Sequence, residues 1–313
     1  MSSNSRRIIS VAVIFTAICL PVGEPSLAAS EQQFVESTRA GLAALDNNNF
    51  AEAEKQLKAA METAKLSKSP KYGEYTKSLI NLGLLYEKKK ESSQAEGYFL
   101  EAEKNYKEAF GEKSLEAAVG NQYLGNLYRK TGRYATAIKH YEKTKEVREV
   151  AAPNHPDLAD TLAGLAECKA KTSARDESIP LMQKVISIRE TAFGKNSGRV
   201  IKSRLMLASL YEQLGKPKLA APAYQTVIDL GGPTEAKSGV AFERLAAIHD
   251  SAGRVDKADQ CYKLALKARE LHPGSGGADL NNCVKLYSTF LKGTNKADAA
   301  KQLEARFAKK PVK

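Results

Sequence analysis

A column of small residues recurs along this chain at an almost constant interval: Ala53, Ala95, Ala137, Ser178, Ala220 and Ala258, spaced by 42, 42, 41, 42 and 38 residues. Four residues after each stands a larger apolar residue: Leu57, Phe99, Tyr141, Met182, Tyr224 and Tyr262. A second column lies upstream of the first. Leu82-Gly83 with Tyr86, Leu124-Gly125 with Tyr128, and Leu207-Ala208 with Tyr211 share one spacing, and Leu245-Ala246 with His249 follows it less closely. Self-similarity at such a period restricts the fold to an array of equal supersecondary units, because one unit cannot bury its apolar face alone and neighbours must share a core.

Within each unit, apolar residues return at three- and four-residue intervals, as in Leu82, Leu85 and Tyr86, then Ala95, Tyr98, Phe99 and Ala102. No stretch alternates with period two long enough to suggest a strand. Each unit therefore reads as two antiparallel helices, with small residues where the axes approach and Tyr or Leu between one hairpin and the next. Gly132, Gly215 and Gly253 fall where the first helix ends, a place that commonly needs left-handed backbone. Seven hairpins are expected: about 30–67, 72–110, 114–151, 156–193, 197–230, 234–271 and 278–308. The first and last are degenerate, as end caps with a polar outer face should be. Ser173 stands where an inter-helix Gly is expected, and Lys169 where a Tyr is, so the fourth hairpin reads as looser.

The Leu-Gly, Tyr, Gly, Ala, Tyr pattern resembles the tetratricopeptide repeat (TPR), whose usual period is about 34 residues. The longer period is similar to the kinesin-light-chain type. Val147-Arg148-Glu149 leading to His155-Pro156, Ile188-Arg189-Glu190 leading to Phe193-Gly194, and Ala268-Arg269-Glu270 leading to His272-Pro273 carry that resemblance. It implies an all-α fold, a right-handed α-α superhelical solenoid, over residues 30–313. It also implies a concave groove lined by first helices, which binds another protein or peptide without catalysis. On this chain that lining would include Lys88, Gln122, Asn126, Arg129, Lys130 and Lys171, with Glu243 and Asp250 turning the far end acidic. Asn and Gln can meet an extended backbone, while Arg and Lys grip carboxylates, so an acidic segment is the expected ligand near Asn126 and Arg129.

The N-terminus differs from the rest. Arg6 and Arg7 precede an apolar run, Ile8 to Val22, of 15 residues, and Ser26-Leu27-Ala28-Ala29 supplies small residues for cleavage. This is the layout of a secretory signal, shorter than the roughly 20 residues of a spanning helix. The expectation is a leader over 1–29, and an exported, periplasmic or extracellular protein with no transmembrane segment after cleavage. Three cysteines then remain, Cys168, Cys261 and Cys283, a set too sparse for a disulfide framework, although Cys261 and Cys283 fall in neighbouring repeats.

Net charge is +12. The lysines are interleaved with Glu along the whole chain, and no basic block with stacking aromatics stands out, so nucleic acid is not the expected partner. The four histidines sit in turns or in helix columns with no partner placed for general acid–base work. Neither a catalytic set, a metal-ligand spacing nor a cofactor motif is legible. A non-catalytic scaffold is the reading. A structural surface protein that self-associates and a repeat scaffold with an unrecognised activity are its competitors, and oligomeric state stays open.

Overall fold

The computed structural model describes residues 25–65, 73–274 and 277–308, with the side chains of 25–30 left undescribed. The described residues form fourteen α-helices and no strand. The predicted leader lies outside them as far as residue 24, and residues 25–29 open the first helix. Among the described residues no helix is long and apolar enough to cross a membrane. The chain divides into two compact units, one ending at Ala151 and the other beginning at Ala152.

Unit 1 holds three hairpins: α1 (Pro25–Asp46) with α2 (Phe50–Lys65), α3 (Glu74–Lys88) with α4 (Ser92–Phe110), and α5 (Leu115–Lys130) with α6 (Tyr134–Ala151). The small-residue column does what its spacing implies. Ala53, Ala95 and Ala137 are fully buried, and Leu57, Phe99 and Tyr141 fill the space four residues on. Close approach is most severe at Gly83, where an added Cβ would lie 2.3 Å from the Phe99 ring. Each hairpin turns through one left-handed residue: Asn48 (φ 58°), Lys90 (φ 65°) and Gly132 (φ 76°). Asn accepts this conformation readily, but Lys does so at a cost.

Successive hairpins of unit 1 are tied by phenols. Tyr86 on α3 donates to Glu54 on α2 at 2.8 Å, and Lys89 reaches the other Glu54 oxygen at 3.2 Å. One repeat later, Tyr128 on α5 donates to Glu96 on α4 at 2.7 Å, joined by the Arg133 guanidinium at 2.7 Å. The acid in each case follows the buried Ala of the column, which places it at the edge of the hairpin joint.

Unit 2 holds four hairpins: α7 (Pro156–Ala170) with α8 (Ser178–Phe193), α9 (Gly198–Gln213) with α10 (Pro217–Gly231), α11 (Ala236–Ser251) with α12 (Val255–Leu271), and α13 (Ala278–Gly293) with α14 (Ala297–Ala308). Pro156 and Pro217 sit in the first turns of their helices, where the missing N–H costs nothing. His155 caps α7, its Nδ1 accepting from the Asp157 N–H at 3.3 Å, which is the turn role expected of it. Gly215, Gly253 and Asn295 take the left-handed turn. At Ser173 no such turn forms. A 3-10 turn, Arg175–Glu177, connects α7 to α8, pinned by Ser178 Oγ on the Arg175 carbonyl at 2.6 Å and Lys169 on Glu177 at 2.6 Å. The two departures from the repeat are thus one alternative connection, in which Lys169 reaches to the end of that turn.

Unit 2 also carries buried guanidinium ties. Arg189 on α8, 7% exposed, donates to Ser203 on α9 at 2.7 Å and to Asp160 on α7. Arg269 on α12, 6% exposed, holds Glu243 on α11 through two nitrogens at 2.8 and 3.2 Å and Asp279 on α13 at 3.1 Å. Each arginine therefore fastens three consecutive helices. Cys168, Cys261 and Cys283 are free thiols, so the neighbouring pair forms no disulfide. Cys283 is fully buried in the core, and burial pushes its thiol up to about 12.

Candidate functional site

In unit 1 the first helices α1, α3 and α5, with Ser92 at the start of α4, line a half-open cavity of about 750 Å³. Leu45, Leu84, Tyr123 and Leu127 supply its apolar surface, while Glu87, Lys88, Lys90 and Lys130 supply charge. Tyr123 is held by stacking on Phe99, with ring centroids 5.3 Å apart, so this face is anchored in the column that builds the fold. Two of the expected site residues, Lys88 and Lys130, are brought together here. Neither is unengaged: Lys88 donates to the Leu45 carbonyl and Lys130 to the Glu87 carboxylate. Lys90, exposed in its left-handed turn, adds a third ammonium.

Gln122, Asn126 and Arg129 share one face of α5, as their spacing implies, but that face packs on α6. Asn126 Oδ1 accepts from the Tyr141 hydroxyl at 2.7 Å and from Gln122 Nε2 at 3.2 Å. Arg129 Nε donates to the same Tyr141 hydroxyl at 3.2 Å, and Arg148 donates to Gln122 Oε1 at 3.1 Å. Tyr141 is fully buried and Arg148 only 7% exposed. The three residues therefore belong to a network that joins the two helices of one hairpin. Lys171 is exposed at the C-terminal cap of α7 in unit 2.

Glu243, expected to make the far end of the groove acidic, is 8% exposed and spent on Arg269. Asp250 remains exposed on α11. His140 and His249 are structural by surroundings. His140 Nδ1 lies 2.9 Å from Asn121 Oδ1 and its ring packs on Tyr128, and burial holds its pKa below the usual value. His249 occupies the tyrosine column, but the position matching Glu54 and Glu96 is Ala221, and its buried Nδ1 has no hydrogen-bond partner among the described residues. Among the described residues no group of three or more His, Cys, Asp or Glu side chains could hold a metal ion.

A tetratricopeptide repeat family model matches residues 115–191, and a second such model matches 38–110 and 205–275. No curated protein matches the sequence. Among solved structures, BtubC (BKLC) from P. vanneervenii is similar at a TM-score of 0.58 and 18% identity, covering 79% of this chain and 93% of that one. Kinesin light chain repeats of Podosopora anserina align at a TM-score of 0.54 and 16% identity, over 65% of this chain and 95% of that one. PilF of Pseudomonas aeruginosa aligns at 0.54 and 15% identity, over 81% and 97%. At these identities the likeness is one of fold.

Proposed function

Since this chain belongs to the tetratricopeptide repeat family, we propose that it is an exported, non-catalytic scaffold that holds a segment of another protein against the first helices of unit 1. The observation that supports this most is the cavity between α1, α3 and α5, where the half-buried Leu84 and Tyr123 meet a cationic edge. Three lysines against one glutamate leave that edge positive, which suits a segment carrying acidic residues beside an apolar one. Desolvating the Leu84 and Tyr123 surface supplies affinity, and the lysines supply orientation and on-rate. Gln122, Asn126 and Arg129 then act indirectly, by keeping α5 in register with α6.

The test is site-specific photo-cross-linking in the native organism. A photoreactive residue at Lys130 should capture a defined partner, while one at Lys104, exposed on α4, should not. Leu84→Asp should abolish the capture with helix content unchanged. Equal capture from both positions, or capture untouched by Leu84→Asp, overturns the assignment. Export is tested separately: residues 1–40 fused to a reporter active only outside the cytoplasm should give activity, and Ile14→Arg should remove it.

A further inference from the structure

In four of the hairpins the residue after the left-handed turn is a cation: Arg133, Lys216, Arg254 and Lys296. The backbone sets all four alike. Each donates its N–H to the carbonyl five residues back, at 2.8, 2.8, 2.9 and 2.8 Å, and immediately precedes the second helix of its hairpin. Three of the side chains then reach a carboxylate of the preceding hairpin. Arg133 meets Glu96 at 2.7 Å, Lys216 meets Asp176 at 3.0 Å and Lys296 meets Asp259 at 4.0 Å. Arg254 is the exception. It is exposed and has no ion-pair partner among the described residues, although Asp250 and Asp256 flank it in sequence.

The acid is missing because the column that supplies Glu54 and Glu96 reads Ala221 on α10. The phenol of the joint is replaced as well. His249 stands where Tyr128 donates to Glu96, and its ring makes no hydrogen bond among the described residues. Nδ1 is buried, which leaves Nε2 as the nitrogen that faces outward. A proton on Nε2 can be accepted by a group from outside, whereas an N–H at Nδ1 would be stranded. Burial, then the Arg254 and Lys257 charges, hold the ring below the usual histidine value. Those two cations act on His249 with no carboxylate set against them. One hairpin edge thus carries a guanidinium, an ammonium and an imidazole N–H without the anion that the other joints hold.

We infer that this edge, where α10, α11 and α12 meet, is a binding site for a short aliphatic carboxylate supplied from outside the chain. Beyond Cβ a glutamate carries one methylene and a carboxylate. Ala221 and one acetate-sized ion together therefore replace the side chain that Glu96 presents at the matching joint. The Arg254 guanidinium takes the carboxylate as Arg133 takes Glu96, and His249 Nε2 donates in place of the Tyr128 hydroxyl. Lys257 adds a second positive charge. The bound carboxylate also offsets the repulsion that Arg254 and Lys257 exert on each other and on any proton added to the ring, which no neutral ligand can do. Its methyl end lies on Ala221, which is half-buried and packed against the core. Phosphate has no apolar end and forfeits that contact. The site lies wholly within unit 2, and no main chain of a partner is needed to fill it.

The test uses the full chain at about pH 7.5, above the range in which carboxylates titrate, and reads the ring signals of its four histidines by nuclear magnetic resonance. His249→Gln assigns the His249 signal. Sodium acetate, exchanged for sodium chloride at constant ionic strength, should move that signal saturably, with half-saturation near about 10 mM, and leave those of His155 and His272 in place. Arg254→Gln, at an exposed position, should keep the fold and weaken the response about tenfold, the scale of a lost charge-assisted hydrogen bond. Ala221→Glu should bring the His249 signal close to its acetate-saturated position with no acetate present, and abolish further response. Sodium phosphate at the same ionic strength should move the signal less than acetate does. A His249 signal that acetate leaves in place overturns the inference. So does a response shared with His155 and His272, one matched by phosphate, or one that survives Arg254→Gln, and this last result holds even where Ala221→Glu fails to fold. None of these readouts involves the unit 1 cavity, so the two proposals fall separately.

Discussion

Between α2 and α3, and again between α4 and α5, the joints of unit 1 are tyrosine hydroxyls on carboxylates, Tyr86 on Glu54 and Tyr128 on Glu96, each backed by a cation at the hairpin edge. Unit 2 keeps one such joint, Tyr287 on Asp259 at 2.8 Å, and otherwise relies on guanidiniums that each fasten three helices, Arg189 and Arg269, whereas the equally buried Arg148 of unit 1 donates to Gln122 of its own hairpin. At the division of the chain the corresponding columns read Ile138 and Lys169 in place of an acid and a tyrosine. A phenol–carboxylate bond at a half-exposed edge contributes modestly and can be lost without stranding a charge in the core. A guanidinium that fastens three helices is different. Its partner Glu243 is nearly inaccessible to water, so removing one side leaves an uncompensated buried charge.

That contrast predicts its own largest effect. Arg269→Met should lower stability by about 3–5 kcal/mol, read as a shift in the urea midpoint of helix circular dichroism, and adding Glu243→Leu should restore most of it. Tyr128→Phe in unit 1 should cost about 1 kcal/mol. Comparable losses from the two single variants would erase the distinction.

Gly83→Ala drives a Cβ into the Phe99 ring and should cost about 1–3 kcal/mol, whereas Gly97, with open space around it, should accept Ala without loss. Lys90→Gly relieves the left-handed turn at residue 90 and should gain about 1 kcal/mol. A loss there would mean that the Lys90 side chain contributes more than its backbone strain removes.

Acid gives the smallest effect, and in unit 1 it acts on the two carboxylates of the phenol joints. The Lys58 ammonium, then the Tyr86 hydroxyl, hold the Glu54 carboxyl down to about 2, against 4.5 for an ordinary glutamate. The Arg133 guanidinium lowers Glu96 in the same direction, against the opposing effect of burial and with help from the Tyr128 hydroxyl. A carboxyl depressed in the folded state contributes stability above its unfolded pKa and loses it as pH falls through the folded one. The thermal midpoint should therefore decline between pH 4.5 and about 2, and Glu54→Gln should flatten part of that decline. An unchanged slope in Glu54→Gln would remove this carboxylate from the account.

Much of the architecture could be read directly from the residues. Ala53, Ala95 and Ala137 had to be at close approaches, and Leu57, Phe99 and Tyr141 had to be buried, because only that register lets equal units share a core. The turns were less legible at Asn48 and Lys90, where residues other than Gly take the left-handed conformation. The candidate site was legible only in part. Lys88 and Lys130 do meet at one cavity, but Gln122, Asn126 and Arg129 face their own hairpin and Glu243 is buried. Periodicity says which residues share a stripe of a helix. It does not say whether a polar stripe looks at solvent or at a neighbouring helix that offers it hydrogen bonds. The Val-Arg-Glu and Ala-Arg-Glu segments show the same limit, since a charged residue near a helix end reads as surface until its partners on the flanking helices are in place.

The amino-acid order alone determined a helical repeat of about 42 residues, because spacing and residue size act along the chain and need no neighbour to be interpreted. Only the tertiary structure decided which polar groups are spent inside the protein and which remain available to a partner. Tyr141 and Tyr262 occupy one column and are indistinguishable in that pattern, yet the hydroxyl of one is satisfied by Asn126 while the other stacks its ring on Tyr287. Hydrogen bonds join residues from different helices, at distances and angles that the linear order does not contain.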